Sequence, residues 1–401
     1  MNNKISKRMS LIKPSPTMAV TKLAAEMRAE GKNVISLGAG EPDFDTPDHI
    51  KKAAIEAINL GKTKYTAVDG IPELKEAVSK KFHRDNNLVY GPDEIIISVG
   101  GKQVLFNALL SSLDIDDEVI IPSPYWVSYP DMVVLAGGKP IIVEGKAENG
   151  FKILPSQLEE SISDKTKWLI INSPSNPTGA IYSEEELIKL GEILVKYDHV
   201  GVISDDIYEK IIYDDNKFYN IPQLLPELKD RTITVNGVSK AYAMTGWRIG
   251  YAGGPSEMIK AMAKLQSQST SNASSISQAA ALKALESSDD FLIERNNQFK
   301  IRRDMVVSNL NKCEGLNCNL PAGAFYVFPS CLELIGAKTP SGKVINNSVD
   351  FSSYLLENKG VAVIPGSAFG SESFFRISYA TSYEILKDAC NRIKDACRLL
   401  S

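Results

Sequence analysis

The chain has 401 residues, 43% of them hydrophobic and 23% charged, with a formal charge of −4 from 45 basic and 49 acidic residues. Such values describe a folded globular protein of two or three domains and exclude disorder, collagen and coiled coil. They also leave no basic face for nucleic acid and no charge block for a membrane surface.

Taken in chain order, the first residues, MNNKISKRMSLIKPSPT, carry positive charge without an apolar stretch, so no secretory signal is expected. No later run approaches the roughly 18 apolar residues of a membrane helix. Thr46-Pro47-Asp48 predicts a helix start with Thr46 as the N-cap. Seven strands are predicted at residues 94–100, 117–124, 139–145, 167–174, 201–206, 232–240 and 248–254. Most are unbroken apolar runs, as in strands buried on both faces of a parallel sheet. Between the fourth and fifth lies SEEELIKLGEILVKY (183–197), a helix with a Ser183/Glu186 capping box and an apolar face of Leu187, Leu190, Leu194 and Tyr197.

After about residue 290 the pattern changes. FLIERNNQFKIRRDMVVSNL reads as one long amphipathic helix, followed by short strands in GAFYVFPS, GVAVIPGSAFG and FFRISYATS. The expectation is an α/β architecture: a large domain with a mostly parallel sheet and helices on both faces, plus a smaller α+β domain built from both termini. The divisions are residues 1–48 (N-terminal arm and part of the small domain), 49–290 and 291–401.

Several chemistries are absent. His49, His83 and His199 are the three histidines, none spaced with another His or Cys to ligate a metal, so no metal site is expected. There is no Gly-x-Ser-x-Gly elbow, and neither Gly38-Ala39-Gly40 nor Gly100-Gly101-Lys102 completes a nucleotide-binding loop. The five cysteines lack a Cys-x-x-Cys pair, which suggests reduced thiols and a cytoplasmic protein.

Positive signals remain. Lys240 follows a predicted buried strand among small and apolar residues, where desolvation frees an amine for nucleophilic work, although a strand-end lysine can equally point to solvent. Arg248, after Gly246 and Trp247, offers a fork for a phosphate. Asp205 ends a buried strand, where ligands of open α/β sheets bind, with Asp206 as its competitor and Tyr208 three residues on. Asn176 lies in the rigid turn NSPSNPTG. Lys102 sits at a helix N-terminus, a poor place for a cation unless an anion is bound there. Arg376, in an apolar strand, requires either a protein carboxylate or a substrate's.

In their order these segments resemble the class I pyridoxal-phosphate aminotransferases over nearly the whole chain. SLGAGEPDFDTP, KYTAVDGIPELKEAV, GGKQ, PSPYWVSYP, NSPSNPTG, SDDIYE, SKAYAMTGWRIGY, GAFY and FRISYATS all match. In detail the chain is similar to the bacterial aspartate aminotransferases, some of which accept prephenate. The resemblance implies pyridoxal 5′-phosphate as cofactor, held covalently by Lys240, which also shuttles the substrate's proton. It implies Asp205 on the ring nitrogen, Tyr208 and Asn176 on the 3-oxygen, and Trp126 on the ring face. The phosphate falls to Gly100, Gly101, Lys102, Ser239 and Arg248, and to Tyr65 from a second subunit, so a homodimer is implied. Arg376, Asn176 and the Gly40 backbone would take the substrate's α-carboxylate, with Lys102 near a distal carboxylate and Lys13 connected with prephenate. Gly237 departs from the serine of the animal enzymes. The expected reaction exchanges an amino group between L-aspartate and 2-oxoglutarate. An aromatic aminotransferase, or a β-lyase of the same fold, is the alternative.

Overall fold

The computed structural model describes residues 5–12, 14 and 16–401. Among the described residues twelve strands order the chain: β1 (Ile35–Ser36), β2 (Ile95–Ser98), β3 (Glu118–Ser123), β4 (Lys139–Glu144), β5 (Thr166–Asn172), β6 (Gly201–Asp205), β7 (Thr232–Gly237), β8 (Gly250–Gly253), β9 (Tyr326–Val327), β10 (Val361–Ala362), β11 (Ile364–Pro365) and β12 (Phe375–Ser378). β2 to β8 form one sheet in the order β2-β8-β7-β6-β5-β3-β4. All its pairings are parallel except those of β8, which runs against both neighbours. Every residue of β2, β6, β7 and β8 is buried, including the threonines of β7 and the glycines of β8, whereas the edge strand β4 is largely open to solvent.

The remaining strands make two small sheets. β1 pairs in parallel with β10, so residues near the start of the chain pack against the C-terminal part, and β11, β12 and β9 form an antiparallel trio. Their apolar core gathers Val306, Leu310, Phe325, Phe351, Phe375, Tyr379 and Ile393 around the five free, buried cysteines.

Two helix expectations change in detail. The helix Glu184–Lys196 begins as predicted, with the Ser183 side chain accepting from the Glu186 amide and Glu186 reaching back. The helix Asp48–Asn59 has Pro47 at its N-cap and no side-chain cap. Thr46 is drawn away because its hydroxyl donates to Ala243 O (2.6 Å) and accepts from Trp247 Nε1 (3.0 Å). The helix Phe291–Leu310 is continuous, but its buried stripe includes two arginines. Arg302 pairs with Asp43 at 2.8 Å and Arg303 with Asp214 at 2.5 Å, which is how an apolar face tolerates them. Among the described residues no helix is long and apolar enough to cross a membrane.

Candidate active site

The strand order decides where the chemistry collects. β8 is antiparallel to β2 and β7, so its beginning lies at the same edge as the carboxyl ends of β2, β7, β6 and β5. Across that edge lie, in spatial order, the Gly100 turn, Arg248, Lys240, Asp205 and Asn172. They line one cavity of about 560 Å³, together with Trp126, Tyr208, Tyr326 and Arg376.

One end is cationic and glycine-lined. Gly100 has φ +84° and leads into the helix Gly101–Ser112, and a Cβ on it would stand 2.4 Å from Arg248 Nη2. A Cβ on Gly250 would meet Gly101 N at 2.2 Å, so the turn rests directly on β8. The Gly100 amide is spent on Ser98 O (2.8 Å), which leaves the first amides of the helix, from Gly101 and Lys102, aimed outward. Arg248 is itself in the left-handed region (φ +58°) and donates to Thr245 O at 2.8 Å. Ser239 is buried beside it. Lys102 Nζ lies 4.8 Å from the Trp126 ring centroid, and burial, with Arg248 adding, lowers its amine below the usual lysine range. At Gly237 any side chain would press on Ile249 O at 3.0 Å and Gly250 Cα at 3.2 Å, so the departure from serine there has a steric reason.

Asp205 occupies the centre. It is buried, accepts from Tyr129 Oη at 2.6 Å, and burial raises its carboxyl to about 6. Asp206 faces away from the cavity, where Ser204 Oγ (2.6 Å) and Asn220 Nδ2 (2.8 Å) donate to its two oxygens. The successive residues of a strand end point to opposite faces, and only one of the two acids reaches the cavity. Tyr208 Oη is 2.8 Å from Tyr326 Oη. Lys240 Nζ donates to Gly40 O at 2.5 Å and lies 5.7 Å from the Tyr208 ring centroid. Burial, with Arg376 adding, brings its amine down to about 8. It is thus a lysine with an accessible neutral form, beside the Tyr208 ring and within the field of Asp205.

Arg376 closes the other end. It is 3% exposed, donates from Nη1 to Asn176 Oδ1 (2.8 Å) and from Nη2 to Gly38 O (2.7 Å), and is stacked between Tyr326 and Phe369 at 4.6 and 5.0 Å from the ring centroids. Among the described residues its Nε is buried without a partner and no carboxylate pairs with it. A desolvated guanidinium with a spare donor in a cavity is arranged for an external anion.

The segment 40–46 reaches the cavity through Gly40 and Glu41. Glu41 accepts from Thr245 Oγ1 (2.8 Å), and the Phe44 ring lies between the guanidinium groups of Arg295 (4.9 Å) and Arg302 (5.4 Å). Tyr129, Tyr326, Glu41 and Thr245 belong to motifs legible in the sequence, but their roles depend on partners 76 to 204 residues away. Tyr65 is 91% exposed and does not line this cavity, and Lys13 lies outside the described residues.

A family model for aminotransferase class I and II matches residues 32–393. A probable aspartate/prephenate aminotransferase of Rickettsia felis is 57% identical over 397 residues, 99% of this chain and 97% of its own. An aspartate aminotransferase of Rhizobium meliloti is 56% identical over 98% of this chain and 96% of its own. The crystal structure of the aspartate aminotransferase from Rhizobium meliloti superposes with a TM-score of 0.97 at 55% identity, over 99% of this chain and 100% of that one. That of the Thermus thermophilus aspartate aminotransferase with maleate gives 0.92 at 44% identity, over 98% and 100%.

Proposed function

The chain belongs to the class I and II aminotransferases, and from that premise we propose that it moves the amino group of L-aspartate to 2-oxoglutarate, giving oxaloacetate and L-glutamate, with pyridoxal 5′-phosphate as cofactor. The observation that carries this reading is a half-buried lysine, its amine brought down to about 8, between two anion-receiving ends of one cavity. The residues suit the cofactor. The Gly100–Gly101 turn, Ser239 and Arg248 would take its phosphate in the space a Cβ would fill. Asp205 would hold a proton on its ring nitrogen, Asn176 and Tyr208 would donate to its 3-oxygen, and Trp126 would cover its face. Bound there, the cofactor supplies an electron sink for the carbanion formed at the substrate's Cα.

The remaining work falls to this chain's side chains. Lys240 Nζ would hold the cofactor and, once released by substrate, take the proton from Cα and return it on the other side of the transfer. An amine near 8 suits both directions of that exchange at neutral pH. Asp205 is held in place by the Tyr129 phenol, so its carboxylate need not reorganise when the ring nitrogen is presented. Arg376 would hold the substrate's α-carboxylate, with Asn176 and the Gly40 backbone fixing its orientation, while Lys102 would receive the distal carboxylate. The cavity thus prefers a dianion, with cations at both ends.

The probable aspartate/prephenate relatives support prephenate as a further acceptor, with Lys13 as its contact. We extend the reading to a homodimer in which Tyr65, too exposed to serve its own cavity, reaches the phosphate of the partner subunit. The five free thiols fit a cytoplasmic enzyme. The divisions at residues 48 and 290 are proposed as the domain limits.

The test is an absorbance experiment on purified protein. The cofactor band should bleach with aspartate and return with 2-oxoglutarate, and Lys240→Ala should abolish both changes. A band untouched by aspartate would overturn the substrate; wild-type turnover by Lys240→Ala would overturn the role of Lys240.

A further inference from the structure

Behind the site, away from the cavity, lies a set of charges that the reaction does not touch. Lys81, on the helix Pro72–Asn86, has a side chain only 1% exposed, and Glu209, whose side chain is 6% exposed, forms an ion pair with it. Asn86 joins them, accepting from Lys81 Nζ at 2.7 Å and donating to Glu209 Oε2 at 2.9 Å. Every polar atom of the trio is therefore occupied by another member. Burying two charges costs several kcal/mol each in desolvation, so such a pair is a weak source of stability and a strong constraint on geometry.

What it constrains is specific. Glu209 follows Tyr208 directly, in a turn closed by Glu209 N to Asp206 O (2.9 Å) and Ile211 N to Tyr208 O (2.9 Å). The neighbouring residues face opposite ways: Tyr208 into the cavity toward Tyr326, Glu209 into the trio. The next residue, Lys210, spans Asp85 (3.0 Å), at the end of the same helix, and Asp289 (2.5 Å). Asp289 in turn accepts from Tyr242 Oη at 2.9 Å, two residues after Lys240. One polar chain thus ties the back of the Asp205–Tyr208 turn to the loop that carries Lys240, through the C-terminal end of one helix.

We propose that Lys81, Asn86 and Glu209 are positioning residues for the reaction, fixing Tyr208 through the turn they clamp and the Lys240 loop through Lys210, Asp289 and Tyr242. The proposal rests on the aminotransferase reading, in which Tyr208 meets the cofactor's 3-oxygen and Lys240 reacts. It assigns these residues no contact with substrate.

The test uses the cofactor-loaded protein and the double variant Lys81→Met/Glu209→Gln, which removes both charges at once; Lys81→Met alone strands Glu209 and risks unfolding. The expected result is a folded protein whose kcat with aspartate falls about tenfold to a hundredfold while KM stays near wild type, as a sub-ångström misplacement of reacting groups produces. The pH midpoint of the cofactor absorbance should shift, because the Tyr208 phenol no longer sits squarely on the 3-oxygen. Amide hydrogen exchange should quicken in residues 206–211 and 240–244 before elsewhere. Tyr242→Phe, which cuts only the far end of the chain, should quicken 240–244 alone. A variant with lowered thermal stability but unchanged kcat, absorbance midpoint and local exchange would show a purely structural pair and overturn the proposal. Failure of the wild-type band to respond to aspartate would instead strike the function on which it rests.

Discussion

Replacing Arg376 with methionine tests the substrate end of the cavity most directly. The guanidinium uses two of its donor groups on Asn176 Oδ1 and Gly38 O, lies between two aromatic faces, and keeps Nε buried and unpaired. A substrate carboxylate in that place would accept at least two charge-assisted hydrogen bonds, each contributing about 1.5–3 kcal/mol. Losing the pair therefore removes about 3 kcal/mol or more, which is about 150-fold in kcat/KM. Folding should change much less. The variant leaves two buried acceptors without a donor, about 1–3 kcal/mol each, but it also no longer desolvates a cation whose pKa burial already lowers. Steady-state kinetics with aspartate and 2-oxoglutarate, alongside a thermal melt and the cofactor absorbance, provide the assay. Cofactor absorbance should survive, because Arg376 lies at the opposite end from the Gly100 turn. A kcat/KM loss below tenfold, about 1.4 kcal/mol, would refute the carboxylate role.

Gly100→Ala places a Cβ against Arg248 Nη2 in a backbone region reserved for glycine, at about 1–3 kcal/mol of strain, so cofactor titration should show affinity weakened about tenfold or more; wild-type affinity would refute the cradle. Lys102→Met should raise KM for aspartate and 2-oxoglutarate about tenfold more than for alanine and pyruvate, since only dicarboxylates have a distal charge to lose; equal effects on both classes would refute a distal site. Asp205→Asn carries a pH signature in the cofactor-free protein. The folded carboxyl titrates near 6 and the unfolded one near 4, so the folded state binds the proton more tightly and wild type loses stability as pH rises through that window. The melting temperature of the variant should gain on wild type between pH 4 and 6, by up to about 3 kcal/mol of stability, and hold that lead above; a difference constant across pH would refute it.

Much of this protein is legible in its sequence because it is set by near neighbours. Short apolar runs such as the III of β2 and the VII of β3 announce buried strands, and the Ser183/Glu186 box announces a helix, whatever the rest of the chain does. Lys240, Asp205, Tyr208, Asn176, Trp126, Arg248 and Arg376 are legible as site candidates because each stands in a local motif, whereas Tyr129, Tyr326, Glu41 and Thr245 line the same cavity in roles that no local signal marks. Assembly is another matter. That β8 inserts between β2 and β7 depends on its pairing with β2, whose partners lie 152 to 158 residues apart, and this insertion brings Arg248 onto the Gly100 turn. The choice between Asp205 and Asp206 came from which face of β6 opens to the cavity, and Thr46 left its cap for the carbonyl of Ala243, 197 residues on. The clamp of Lys81 on Glu209 had no signal at all, because a lysine in KEAVSKKF reads as a solvated helix face until a distant glutamate meets it. Local periodicity and capping are short-range and additive, so composition and spacing determine them. The partner of a buried charge is set by long-range packing, where one alternative among many is chosen by the desolvation that every unpaired arrangement would suffer.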